Sequence, residues 1–278
     1  MECIMQWGLE HRQLGPVRTI GVDEIDYGRG HNYLTLAYQI EAGCVRLLWA
    51  GRERTEDSFE KLFTLIGMKL AGKIVFVCSD MWKPYLKLIA RHFTTTLNIL
   101  NCFHVVAKMN LTIGEECAGE VRRMAQDGYE PVLKKSCWCL SKRKSLTENQ
   151  RIKLSEALRY SLQSVRTYLL KKEFPLFWTY DSPTLAGKFL DQWCSEVMCS
   201  RIEPMKKFAR TMRAHRELLL NYFLTEKAFS SRVAEGLNNR AKITGRKIYS
   251  FRTIRIAEIS LYHVLGKLPE PKLPHSFC

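Results

Sequence analysis

Three acidic residues sit inside short, well-separated motifs: Asp23 in Gly21-Val22-Asp23-Glu24, Asp80 in Ser79-Asp80-Met81-Trp82, and Glu235 in Val233-Ala234-Glu235-Gly236-Leu237-Asn238-Asn239. Clustered carboxylates hold hard divalent cations such as Mg²⁺. Two such ions about 4 Å apart can clamp the attacking and leaving oxygens of a phosphodiester, and one carboxylate must then lie between them. Asp23, Asp80 and Glu235 are therefore the candidate catalytic and metal-binding residues, with two Mg²⁺ ions (or Mn²⁺ as substitute) as the expected cofactor. The elements around them must bring them together.

The opening of the chain predicts a sheet. Val17–Ile25 reads as a buried strand, Gly28-Arg29-Gly30 as a turn, His31–Ile40 as a second strand and Cys44–Ala50 as a third, an antiparallel meander with short Gly-containing loops. The lone Gly28-x-Gly30 is only a turn, since no helix follows it. In Thr55–Ala71 the apolar Phe59, Leu62, Phe63, Ile66 and Leu70 fall at helical spacing, Thr55 can cap, and Glu56 and Asp57 suit the first turn. A buried strand, Ile74–Cys78, follows. A strand, a crossover helix and another strand imply right-handed parallel pairing with an earlier strand. If that partner is the first strand, Asp23 and Asp80 lie at the C-terminal ends of adjacent strands, where open α/β sheets place their ligands. A helix over Pro84–His92 and a strand over Leu97–Asn101 complete a βββαβαβ order, that of a ribonuclease H-like mixed sheet in an α/β fold.

From Phe103 to about Phe223 the pattern turns helical. It predicts a helix through Met124, a basic Trp-containing loop at Lys134–Lys144, and a helix over Thr147–Lys172 with Leu158, Leu162, Val165 and Leu169 as its buried stripe. Another covers Thr184–Ser200, with Leu185, Phe189, Trp193 and Val197 on one face. The last runs over Glu203–Phe223, where Met205, Phe208, Met212, His215, Leu219 and Tyr222 form a packed seam and His215 reads as a satisfied core residue. On another face of that helix Lys206, Arg210 and Arg213 make a basic stripe, either a track for a phosphate backbone or a solvated surface. Asp80 and Glu235 are 155 residues apart, so the helical block reads as an insertion before a final catalytic helix that carries Glu235. Helical spacing puts Arg232, Asn239, Lys242 and Arg246 on the side of Glu235, as donors for phosphate.

The division expected is a lead-in at 1–17, the first part of the core at 18–102, the insertion at 103–228, the final helical segment of the core at 229–266, and a disordered tail at 267–278 that includes the Pro-rich stretch from Leu268 to Pro274. The 278 residues are 46% hydrophobic, enough to fill a core. The formal net charge of +15 favours a polyanionic partner. From Arg201 to Arg255 there are 14 Lys or Arg against four acids, so the basic excess surrounds the third carboxylate. Ten cysteines are scattered without a secretory leader and read as reduced thiols. The Cys137-x-Cys139 pair and the Cys194, Cys199 pair lack the spacing of a structural zinc site. No apolar run of about eighteen residues suggests a membrane span. The expected location is the cytoplasm of a bacterium, associated with the nucleoid.

At this point the chain resembles the DDE catalytic domain of the ISL-three family of bacterial insertion-sequence transposases, from Arg18 to Leu265. The motifs that carry the resemblance are Gly21-Val22-Asp23-Glu24, Gly30-His31-x-Tyr33-Leu34-Thr35, Asp80-Met81-Trp82-x-Pro84-Tyr85, Phe103-His104-Val105-Val106, Arg201-x-x-Pro204-x-Lys206-x-x-Ala209-Arg210-Thr211 and Glu235-Gly236-Leu237-Asn238-Asn239. The resemblance implies Asp23 and Asp80 as catalytic aspartates and Glu235 as the third ligand. It implies element ends and target DNA as partners, and self-association in a synaptic complex. It also puts Glu24 and His104 near the site. Strand alternation turns Glu24 to the face opposite Asp23, which favours a structural role. His104, at the start of a helix, either reaches phosphate or orients a water, or simply caps and packs.

Two departures from the family pattern bear on activity. Asn101 stands where the family usually has an aspartate three residues before the histidine. The zinc-binding and helix-turn-helix modules that usually precede the first strand have no counterpart, so a truncated copy is the expectation. Two readings follow: a DDE transposase domain that cleaves and joins DNA, and an inactive remnant that binds DNA non-specifically. A junction or RNA–DNA hybrid nuclease on the same fold leaves the insertion and the late Glu-Gly-Leu-Asn-Asn unexplained.

Overall fold

The computed structural model of the chain describes residues 2–26, 33–41, 43–128, 147–149, 151–152, 163–225, 236, 241, 243 and 254–271. It divides into two units, one formed by Met1–Asn101 with Ala228–Cys278 and the other by Cys102–Lys227.

The first unit is built on a mixed sheet of β1 (Thr19–Asp26), β2 (Tyr33–Glu41), β3 (Cys44–Arg52), β4 (Phe76–Ser79) and β5 (Leu97–Leu100), with helix α1 (Glu2–His11) before β1, α2 (Glu56–Ala71) between β3 and β4 and α3 (Lys83–His92) between β4 and β5. The strand order is β3-β2-β1-β4-β5. The meander β1-β2-β3 is antiparallel, and β1-β4-β5 is parallel. Both crossovers are helical, as parallel neighbours require. The turn from β2 to β3 passes through Gly43 at φ 86, a left-handed conformation that glycine adopts without a Cβ clash.

Each face of the sheet is covered. On one, Ile20 and Val22 of β1 join Phe59, Leu62 and Phe63 of α2 and Tyr85, Leu88 and Ile89 of α3. On the other, Ile25 of β1 joins Leu34, Leu36 and Tyr38 of β2, and Ala257, Leu261 and Tyr262 of a helix over Ile254–Leu265. The alternation of Ile20 and Val22 against Ile25 follows from the period of two along a strand. It sends Glu24 to the α2–α3 face and Asp23 to the opposite one.

The residues read as a polar lead-in fold into α1. Met5 is buried against the opposite helix, and Gly8 lies so close to Leu268 and Pro269 that a Cβ there would come within 2.9 Å of the Leu268 side chain. The single apolar stripe of so short a segment is helical because it has something to pack on, a tertiary effect that local periodicity does not carry. Leu268 packs on the same core and Pro271 is buried, so the stretch to Pro271 is ordered, contrary to the expected disordered tail.

The second unit contains α4 (Cys102–Gln126), α5 (Gln163–Glu173), a 3-10 turn (Phe174–Thr179), α6 (Pro183–Cys199), α7 (Glu203–Ala214) and α8 (Arg216–Leu224). The C-terminal helix of the first unit, Ile254–Leu265, is accordingly α9. Trp193 is buried, with edge-on contacts to Phe174 and Phe208, and its indole N–H donates to the Leu170 carbonyl at 3.0 Å.

Several expectations for these helices are corrected. Glu203–Phe223 is not continuous: the helix breaks at His215, whose φ and ψ of −111° and 22° are not helical, and His215 is half-buried rather than core. Leu185 and Leu169 are exposed, at 52% and 48%. The buried stripe of α6 instead runs through Ala186, Leu190, Trp193, Cys194 and Val197. On α5 the buried positions are Ser164, Val165, Thr167 and Lys171, a largely polar set that hydrophobic periodicity does not register. Residues 153–162, which include Leu158 and Leu162, and the loop Lys134–Lys144 lie outside the described residues. Among the described residues no helix is long and apolar enough to cross a membrane.

Candidate active site

β1 and β4 pair in parallel with Gly21 opposite Cys78. Asp23, inside β1, and Asp80, just beyond β4, each follow this pair by two residues, at the C-terminal end of the β1–β4 ladder, the edge where this kind of sheet binds ligands. Asp23 is 7% exposed and one of its carboxylate oxygens accepts the Glu24 amide at 2.7 Å. On its face of the sheet lies Tyr38, whose buried hydroxyl has no hydrogen-bond partner among the described residues. Burial raises the Tyr38 phenol well above its usual range, and the charge of Asp23 adds to the rise.

Asp80 sits between the end of β4 and the start of α3. Its Oδ1 accepts the Trp82 amide at 2.8 Å, next to the positive end of the α3 dipole. Its Oδ2 takes a hydrogen bond from Arg54 Nη2 at 2.5 Å. Arg54 Nε also lies 2.7 Å from Glu24 Oε1, an ionic contact without hydrogen-bond alignment, and its guanidinium carbon is 4.7 Å from the centre of the Trp82 ring. Both carboxylates are about nine-tenths buried, at 11% and 12% side-chain exposure. Leaving such a pair without its cation costs about 3 kcal/mol. Glu24 also accepts a hydrogen bond from Tyr85, which meets the Thr35 hydroxyl at 2.9 Å. Burial raises the Glu24 carboxyl above its ordinary value. Tyr85 and Arg54 counter the rise, while Asp80 and Asp23 add to it.

Strand alternation had separated Glu24 from Asp23, and the two are indeed on opposite faces. The element missed from sequence is Arg54. It follows β3 in Arg52-Glu53-Arg54-Thr55, and nothing in its spacing links it to Asp80, 26 residues away. Its placement comes from the β3–α2 corner. There Glu53 adopts φ 68, its amide donates to the Tyr33 carbonyl and its own carbonyl accepts the Thr35 hydroxyl.

Glu235, Asn239, Arg232, Lys242 and Arg246 lie outside the described residues. Among the described residues no three His, Cys, Asp or Glu side chains converge as a metal site. Asn101 follows β5 and is buried, its amide donating to the Ser79 carbonyl at 2.9 Å. In the helical unit, His104 stands in the first turn of α4, its ring edge-on to Phe103. On α7, Lys206 and Arg210 both pair with Glu203, at 2.9 and 3.9 Å, and Arg213 donates to the Ser195 hydroxyl.

The strand order, antiparallel through β1-β2-β3 and parallel through β1-β4-β5, defines an α/β protein built on a mixed five-stranded sheet. The comparisons narrow the class: the profile of a transposase family matches residues 20–259, and the chain belongs to the ISL-three family of DDE transposases. It is similar to the transposase for insertion sequence element IS1001 of Bordetella parapertussis, 26% identical over 243 residues, covering 85% of this chain and 58% of the relative. The transposase for insertion sequence element IS1557 of Mycobacterium tuberculosis is likewise 26% identical, over 261 residues, covering 85% of this chain and 57% of the relative. The chain thus spans a little over half the length of these curated relatives.

Proposed function

We propose that this chain carries the catalytic unit of an insertion-sequence transposase on a ribonuclease H-like core, cleaving DNA strands at element ends and joining the freed 3′-hydroxyl to target DNA. The observation that carries the reading is the parallel β1–β4 pairing with Gly21 opposite Cys78, from which Asp23 and Asp80 each follow by two residues.

The donor set fits a hard divalent cation: it is oxygen-only, Asp23 and Asp80 each follow the β1–β4 ladder, and the buried Tyr38 hydroxyl on the Asp23 face has no hydrogen-bond partner among the described residues. When bound, Mg²⁺ or Mn²⁺ supplies Lewis-acid activation of water or a 3′-hydroxyl and of the scissile phosphate. Asp23, Asp80 and Glu235 would hold it. The Trp82 amide and the start of α3 fix the Asp80 carboxylate in orientation. Arg232, Lys242 and Arg246, with Lys206, Arg210 and Arg213 of the helical unit, neutralise DNA phosphates, and Asn239 acts around the site. Two copies of the chain bring two element ends together.

The test is nicking of supercoiled plasmid by the purified chain with Mg²⁺ or Mn²⁺ at low salt, compared with Asp80→Asn. Metal-dependent nicking lost in the variant supports the reading. Retained DNA binding without nicking under any metal favours a non-catalytic DNA-binding remnant, the alternative suggested by the neutral, buried Asn101.

A further inference from the structure

We propose that Arg54 is an internal counter-cation that holds Asp80 in the metal-free protein and must release it before a divalent ion binds there, an inference that rests on the reading of Asp80 as a metal ligand. Of the two oxygens of Asp80, Oδ1 is taken by the Trp82 amide and Oδ2 by Arg54. Oδ2 is the oxygen a cation can take without breaking the α3 amide contact. A guanidinium and a divalent ion on that one atom would repel each other strongly in so buried a place. Binding of one therefore expels the other.

Arg54 has a place to stay when Asp80 lets go. Its Nε remains beside Glu24, and its guanidinium carbon lies over the Trp82 ring. Its backbone is held by the contacts of Glu53 with Tyr33 and Thr35, so the exchange is a side-chain rotation with Glu24 as pivot. This gives Glu24 a function that its direction, away from Asp23, had hidden. It keeps the displaced arginine within reach of the site, and it is a positioning residue rather than a metal ligand. The balance also follows from charge: Glu24, Asp80 and Arg54 sum to one negative charge without metal, where the two bare carboxylates would repel each other.

Direct measurement of Mn²⁺ binding to the full chain, by the electron paramagnetic resonance signal of free Mn²⁺, tests this without any nuclease readout. Arg54→Gln is expected to bind Mn²⁺ about tenfold more tightly than the native chain, the worth of one charge-assisted hydrogen bond removed as competitor. Arg54→Lys is expected to fall between, and Asp80→Asn to lose the site. In parallel, Mg²⁺ titration should change the Trp82 emission, isolated as the difference between the native chain and Trp82→Phe, as the guanidinium leaves Asp80. The lysine variant and this native-chain signal decide the question even if Arg54→Gln does not fold. Unchanged or weaker binding in the folded Arg54 variants, or metal binding with no Trp82 response, overturns the latch while loss in Asp80→Asn keeps the metal site. Binding unaffected by Asp80→Asn, or none in any variant, overturns both.

Discussion

The hydroxyls of Thr35 and Tyr85 meet at 2.9 Å in the interior, tying strand β2 to helix α3 next to the acidic cluster. Tyr85 is fully buried and also donates to Glu24. Tyr85→Phe keeps the ring contacts with Phe59 and Trp82 and deletes only the hydroxyl. It should cost about 2 kcal/mol, because a buried carboxyl loses a donor. Urea unfolding would read this as a lower midpoint at constant slope, and an unchanged midpoint would remove the Tyr85 hydroxyl from the account of the site.

On the proposed function, Asp23→Asn and Asp80→Asn should each lower metal-dependent plasmid nicking by about a hundredfold or more, since removing one charged group from such a site costs rates of that order. Circular dichroism of both variants should stay native, because an amide at position 80 still accepts from the Trp82 amide. A variant that nicks at the native rate would remove that aspartate from the mechanism.

In the helical unit, Glu120 of α4 caps the start of α5. It accepts the amides of Gln163 and Ser164 at 2.8 and 2.9 Å and the Ser164 hydroxyl at 2.5 Å. These are donors that the first turn of a helix leaves unpaired. Glu120→Ala should destabilise by about 2 kcal/mol, and amide exchange of residues 163–165 should speed up relative to α6. Equal protection in both proteins would show that another group caps α5.

Burial pushes the Cys194 thiol from an ordinary 9.0 to about 11, with Arg213 opposing and Asp191 adding to the rise. The folded protein thus favours the neutral thiol. The resulting stabilisation is complete below pH 9 and is lost as the pH rises from 9 to about 11, since the unfolded thiol ionises first. The melting temperature of the native chain should therefore fall more steeply over that window than that of Cys194→Ala. Parallel curves would contradict the assignment.

If α7 contacts DNA, Lys206→Ala and Arg210→Ala should each reduce the slope of log affinity against log salt by about one, independent of sequence. Glu203, which pairs with both, competes with phosphate for them, so Glu203→Gln should raise affinity. Filter-binding titrations across salt would decide it. Slopes equal to native would leave the stripe a solvated face.

The order of strands and helices from Thr19 to Leu100 was legible because the elements there carry a strong period: alternation in β1, the Phe59–Leu62–Phe63–Ile66 stripe in α2. Elements whose buried face is polar or short were not. The buried face of α5 is held to α4 by the bonds of Ser164 and the Gln163 amide to Glu120, while Thr167 bonds back to the Gln163 carbonyl of its own helix, and α1 is helical through contacts far along the chain. The break at His215 escaped because the apolar spacing runs on across it.

The sequence by itself determined that the strands carrying Asp23 and preceding Asp80 are neighbours, since a strand, a crossover helix and a strand pair in parallel. Tertiary structure alone decided what surrounds them. Arg54 reaches Asp80 and Glu24 from the β3–α2 corner, and Tyr85 reaches Thr35 across the core. Pairing of ladders is a local rule that repeats along a chain, whereas the meeting of buried charges depends on how corners and helices from distant segments pack, and no period in the sequence encodes that.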